Sequence, residues 1–504
     1  MSVPNVKGSV RMNIRRVLRL RWLVYAALGL VAASQVAGAQ SAPHRPVLEL
    51  LLEVPLGNVA EDQVPDLSEA GWALKVTFSK PIVVPDGSKV LVATADDMQM
   101  YDTSDGKLLW KQPIYGGIDK YDATNEIVYL SEAGSSGRFK ERSYIYAIDA
   151  ASGAELWRYD LQQDARPWRL ENMPEGAEAG SAGFTNINVH EGVIYAKVSD
   201  SWKDGSVTDR TEVLVALDDR GGKLWEIRSR GYPGLFSTGR MEFLADKLII
   251  GSYTYGDDTH GPAYVQAFDL ADGQLLWRQD LPWEPLNYAR SNNASVTIVG
   301  DKVVASTSFG RVYVFTADGE ALGDFLAWEP VDTGENVITT YVLGGKVAGF
   351  GDDNVVIAPS KTVIQGAAAS AVSPVEHPDA NSVLVYNLQG ERLWKFALGA
   401  PPLNLIIKGD IMLLGTSSES ATAGGTEDTG VYAFSLAGGA GGEFTAADSA
   451  NLEQFLGFFR TDGIIYVSAL DSSADQSVIA AVSWPTRSGV TKSGEHALYI
   501  LTLK

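Results

Sequence analysis

The chain has 504 residues, 45% of them hydrophobic and 20% charged, with 51 glycines, no cysteine and a formal net charge of −21. This composition excludes wholesale disorder, and the lack of cysteine excludes disulfides, thiolate nucleophiles and cysteine metal sites together. An acidic surface is unsuited to nucleic acid and anionic lipid, which require clustered Lys and Arg. It suits solubility, or a basic or cation-bearing partner.

In chain order, the first feature is a leader. Lys7, Arg11, Arg15, Arg16, Arg19 and Arg21 precede an apolar run from Trp22 to Ala33, and Val36-Ala37-Gly38-Ala39 follows. This is the layout of a secretory signal with cleavage near Ala39, so residues 1–39 are expected to be a signal peptide and residues 40–504 one domain. An uncleaved anchor over residues 22–39 is the alternative. Loss of the six leader charges would take the net charge to −27. The expected location is periplasmic or extracellular.

A strand is predicted over Val47–Val54, with no partner nearby in sequence. A phrase then recurs along the chain. It reads Met100-Tyr-Asp-Thr-Ser-Asp-Gly-Lys-Leu-Leu-Trp110, then Tyr146-Ala-Ile-Asp-Ala-Ala-Ser-Gly-Ala-Glu-Leu-Trp157, and returns at Val215–Trp225 and Gln266–Trp277. Weaker copies follow at Val314–Leu322, Val385–Trp394 and Val431–Gly438. Each copy predicts a hairpin in which glycine takes the φ > 0 corner and Asp binds local amides. Trp110, Trp157, Trp225, Trp277 and Trp394 are expected to fill the gaps between successive sheets, with Gly323 at the corresponding place in the fifth copy.

Two further strands precede each hairpin, as at Ile127–Leu130, Val193–Ala196 and Leu248–Gly251. Units of four strands at this period predict a β-propeller of eight blades, with seven as the alternative. Leu456–Phe459, Ile464–Val467 and Ala497–Leu503 are taken as three strands of the last blade. Val47–Val54 is expected to be its outer strand, closing the ring.

The Ala-Ile-Asp-x-x-x-Gly-x-x-Leu-Trp phrase resembles the repeat of pyrroloquinoline-quinone-like propellers. That family includes quinoprotein dehydrogenases and the propeller lipoprotein of the outer-membrane β-barrel assembly machinery. The resemblance covers the mature chain and is specific for fold, whereas function has to come from a site.

Within each unit the strands are lettered A to D from axis to rim. The B–C and D–A connections should share one face, and the B–C connections are long: Ser131–Ser143, Asp200–Glu212, Tyr253–Ala263, Ser360–Ser382, Ser417–Thr429 and Asp471–Glu495. The A–B and C–D turns are expected to be short. Aromatic and Arg side chains on that face are candidate anchors for a protein or cell-envelope partner of a monomeric scaffold. They are Arg138, Arg142, Arg166, Trp168, Arg169, Trp202, Tyr232, Tyr253, Tyr255, His260, Trp283 and Tyr288; packing of the loops on one another is the plainer role for the same residues.

An enzyme is the less favoured reading. Quinoprotein resemblance implies quinone and calcium, but the adjacent cysteines of the alcohol-dehydrogenase members are absent and no acidic cluster with ligand spacing enters the axis. The five histidines form no metal pattern. No cofactor is therefore expected outside the dehydrogenase alternative. A glycan-binding module using Trp168, Trp202 and Trp283 is a third possibility.

Overall fold

In a computed structural model the chain divides into two units, Met1–Arg45 and Pro46–Lys504. The structure describes residues 48–503 apart from 58–80, 95–96, 115–116, 133–143, 162, 165–174, 177, 180–182, 205–206, 231–240, 254–262, 283–293, 343–345, 361, 366–372, 374, 399, 418–428, 438–440, 446–447, 450–451, 489–490 and 494–495. The leader lies outside these residues.

The second unit is all-β. Among the described residues, eight antiparallel sheets carry four consecutive ladder partners each, two of them with a further strand. The first sheet runs Pro81–Val83, Lys89–Ala93, Met98–Asp102, Leu108–Gln112, and the second Gly117–Asp122, Ile127–Glu132, Tyr144–Asp149, Glu155–Asp160. The third is Gly183–His190, Val193–Asp204, Val207–Leu217, Lys223–Arg230, and the fourth Met241–Leu244, Lys247–Tyr253, Ala263–Asp269, Leu275–Asp280. Ala294–Val299, Lys302–Thr307, Arg311–Thr316 and Ala321–Leu326 make the fifth. The sixth is Val347–Phe350, Asn354–Ile357, Ser382–Asn387, Arg392–Ala397, and the seventh Pro402–Lys408, Ile411–Thr416, Gly430–Ser435, Phe455–Arg460. The eighth orders Ile464–Ser472, Ile479–Trp484, Ala497–Leu503 and then the N-terminal strand Leu48–Pro55.

The sequence pattern explains the radial order. Middle strands such as Leu91-Val92-Ala93 and Ala263–Phe268 are buried on both faces because a neighbouring sheet covers each side. Outer strands such as Leu108–Gln112 and Leu275–Asp280 alternate exposed and half-buried positions. The first strand of each sheet packs beside the first strand of the next, and that of the eighth lies beside that of the first. Leu48 pairs with Leu503 and Leu50 with Leu501, with a bulge before Leu52 pairs with Ile500.

The repeated tryptophans dock onto the next sheet's turn. The Trp110 indole N–H donates to the Ala150 carbonyl at 3.0 Å, Trp157 to Asp219 at 2.7 Å, Trp225 to Leu270 at 3.0 Å and Trp277 to Ala317 at 2.9 Å. A β-carbon on Gly153, Gly221, Gly273 or Gly319 would lie 2.7 to 2.8 Å from the indole below it, and each of these glycines has positive φ. Glycine is therefore required twice over, by conformation and by the ring pressed against it.

Four expectations from sequence need correction. Phe455–Arg460 is the outer strand of the seventh sheet, not part of the last, and the strand missing from the eighth is Ile479–Trp484. The stretch 471–495 is therefore not one connection: it holds a strand, and the B–C connection begins after it. In the fifth sheet Phe325, not Gly323, meets the turn glycine, since a β-carbon on Gly390 would lie 2.6 Å from Phe325 Cβ. Finally, one C–D connection is long, because the chain between Ser435 and Phe455 sends Gly442–Thr445 back to pair in parallel with Trp394–Ala397. That added strand accompanies the deep burial of Trp394, which is 3% exposed, while its four counterparts are half-buried.

Candidate functional site: the face of the B–C and D–A connections

Two strand pairings bring the B–C and D–A connections together. The third sheet's middle hairpin continues well beyond its inner strand, pairing from Ile194 with Leu217 out to Asp204 with Val207. What reads in sequence as a loop over Asp200–Glu212 is mostly ladder, because Thr208, Thr211 and Val213 suit a strand. Glu178–Ala179, from the preceding D–A connection, pairs with Trp202 and Lys203 on this extension. The second junction is a small sheet in which Val337–Thr340, from a D–A connection, pairs on one side with Val331–Asp332 of the same connection and on the other with Thr362–Ile364, from the sixth sheet's B–C connection. A hairpin, Thr486–Ser488 with Thr491–Ser493, occupies the eighth sheet's B–C connection.

A buried polar network holds the second junction. A β-carbon on Gly310 would lie 2.6 Å from Trp328, whose indole N–H donates to the Thr340 carbonyl at 3.2 Å. Thr340 Oγ1 donates to the Ser360 carbonyl at 3.0 Å, and Lys346 Nζ donates to Ser360 Oγ at 2.6 Å. Lys346 is 2% exposed, and burial pulls its pKa down to about 7 from the usual 10.5. His377 Nδ1 accepts from the Asp379 amide at 3.1 Å, so the ring proton is on Nε2, which donates to the Glu329 carbonyl at 2.9 Å. Lys395 Nζ reaches Asp379 Oδ1 at 2.9 Å and the Pro378 carbonyl at 2.7 Å.

Sequence reasoning did not find this network. Lys346 and His377 stand alone in apolar or proline-rich stretches, and their partners lie in other connections. A second buried lysine, Lys197, is lowered to about 8 by burial, against the pull of Glu212.

Of the candidate anchors, Trp202 lies on the extended hairpin opposite Asp209, and Tyr253 ends its strand opposite Ala263. Arg138, Arg142, Arg166, Trp168, Arg169, Tyr232, Tyr255, His260, Trp283 and Tyr288 lie outside the described residues. On the opposite face, an open cleft of about 410 Å³ is lined by Lys120, Asp122 and Glu191, and a neighbouring one of about 220 Å³ by Asp86, Lys89 and Glu126. Among the described residues, no three His, Cys, Asp or Glu side chains gather as a metal-binding group.

The family model described as outer membrane protein assembly factor BamB matches residues 141–325 and again 263–451, together more than half of the chain. The chain belongs to this family. Within the wider quinoprotein-like group, it is 27% identical over 192 residues to quinohemoprotein alcohol dehydrogenase ADH-IIG of Pseudomonas putida, a stretch covering 37% of this chain. It spans only 23% of that relative's length. The BamB-family chain also matches the fold of quinohemoprotein alcohol dehydrogenase from Comamonas testosteroni, with a TM-score of 0.55, 12% identity, and coverage of 90% of this chain and 76% of the other. A europium-containing methanol dehydrogenase gives a TM-score of 0.54 at 13% identity, covering 90% and 93%. These two likenesses establish a β-propeller fold.

Proposed function

We propose that this BamB-family chain is an exported, eight-bladed propeller, closed at its rim by Leu48–Pro55, that binds a protein or cell-envelope partner through its B–C and D–A connections. The observation that carries the reading is that these connections are built into strands. Three separate elements stand there: the extended hairpin with Glu178–Ala179, the small sheet at Thr362–Ile364 and the hairpin at Thr486–Ser493. A rigid scaffold carrying ordered projections on one side presents a fixed surface, which lowers the ordering cost of association. Membership of the BamB family supports a partner in the envelope, and the basic leader supports export.

Crosslinking the native protein in its host, followed by mass spectrometry, should recover an envelope component joined to residues of that face. Crosslinks confined to the opposite face would overturn the assignment.

A second reading is a quinone-dependent dehydrogenase, favoured by the stretch similar to the Pseudomonas alcohol dehydrogenase. Among the described residues, no three carboxylate or imidazole side chains gather as a cluster that would suit a calcium ion beside a quinone. Adding pyrroloquinoline quinone and Ca²⁺ to purified protein tests it directly. Dye-coupled alcohol oxidation would replace the scaffold reading.

A further inference from the structure

The eighth sheet is fastened to its neighbours near the axis as well as at the rim. Asp471, near the end of Ile464–Ser472, accepts the Val83 amide of the first sheet at 2.9 Å through Oδ2. Its Oδ1 accepts Lys408 Nζ of the seventh sheet at 2.9 Å. One carboxylate therefore joins three consecutive sheets. The same lysine donates to the Ser472 carbonyl.

The turn that follows, 473–478, repeats the pattern. The Ala474 amide donates to the Pro85 carbonyl of the first sheet at 2.9 Å, and the Gln476 side-chain amide donates to the Lys408 carbonyl of the seventh. Both facing turns carry a glycine at positive φ where this turn presses in. A β-carbon on Gly87 would lie 3.0 Å from Val478, and one on Gly409 would lie 2.9 Å from Gln476 Nε2. The turn is itself stiffened, since Asp475 Oδ1 accepts Ser473 Oγ, Ser477 Oγ and the Ser477 amide at 2.7, 2.7 and 3.0 Å.

We propose that Asp471 and the turn 473–478 form a bolt at the hub, which locks the eighth blade to the seventh and first independently of the N-terminal strand at the rim. The bolt rests on the closed-ring reading above. The apolar core that the last blade shares with both neighbours, through Val83 and Val92 on one side and Leu413 and Val431 on the other, is non-directional and leaves small sliding motions open. A charge-assisted bond to each neighbour at small radius removes that freedom.

Hydrogen exchange read by mass spectrometry on the full chain tests this. In Asp471→Ala, peptides covering 81–88 and 471–478 should exchange about tenfold faster, as expected when a partly buried donor loses its acceptor. The ladder between Leu48–Pro55 and Ala497–Leu503 should keep its protection. Asp471→Asn retains an acceptor for the Val83 amide, and should protect 81–88 better than the alanine variant does. Lys408→Met, which spares that amide, serves if Asp471→Ala fails to fold, and it should speed exchange in 403–410 and 471–478. Unchanged exchange in these peptides, or a uniform rise over all blades, would overturn the bolt. Rapid exchange of the rim ladder in the unmodified protein would instead refute ring closure by the N-terminal strand.

Discussion

Lys346 shows how far one residue's chemistry depends on what surrounds it. Its amine is buried against a serine hydroxyl and is shifted to about 7. Between about pH 7 and the unfolded value of 10.5 the unfolded chain binds more protons at this site than the native one, so stability should rise with pH across that window. Below about pH 7 the full penalty is present, on the order of 5 kcal/mol from the shift alone. Lys346→Met should therefore raise the melting temperature near pH 6 and flatten the rise between pH 7 and 10. A melt series over that range checks both. The lysine is visible in the sequence, but its burial is not, because Ser360 and Thr340 come from other segments. Trp157 is the contrasting case. Its indole is half-buried and donates to Asp219, so Trp157→Ala should cost about 2–3 kcal/mol in chemical denaturation, less than a fully buried tryptophan would.

At the scale of elements, the repeated hairpin is one device used several times. The Asp side chain holds its turn: Asp102 accepts the Ser104 amide at 2.8 Å, Asp149 the Ser152 amide at 2.7 Å and Asp269 the Ala271 amide at 2.7 Å. The turn glycine then leaves room for the preceding sheet's indole ring to pack on it, while another carbonyl of the same turn accepts the indole N–H. Gly221→Ala should destabilise by at least about 1–2 kcal/mol from its positive φ alone, with a further cost from the Trp157 ring. An equal alanine substitution at Gly192, which has positive φ but nothing within 4 Å of its β-carbon, should cost only the conformational part. Comparing the two denaturation midpoints separates backbone strain from docking. The hairpins were legible in the sequence because turn and tryptophan lie within one local phrase. The extended hairpin over Val193–Leu217 and the parallel strand Gly442–Thr445 were not, since the first looks like a polar loop and the second pairs with a strand far back in the chain.

For the whole molecule, the decisive contact is between the two ends. Leu52 of the N-terminal strand stands where tryptophan stands elsewhere, since a β-carbon on Gly106 would lie 2.5 Å from its Cδ2. Leu48 packs at the other end of the strand, 3.2 Å from a β-carbon on Gly457. A chain lacking residues 48–55 would leave Ala497–Leu503 as an open edge. It should melt lower and associate, which differential scanning calorimetry and light scattering would register. The sequence by itself determined the class of fold and the repeat, because alternation, turn glycines and docking tryptophans are local signals. Only the tertiary structure decided which strand completes each sheet, which connections become ladders, and that Asp471 and Lys346 meet the groups they do. Those outcomes depend on contacts between segments far apart in sequence, where one residue's spacing carries no information about another's position.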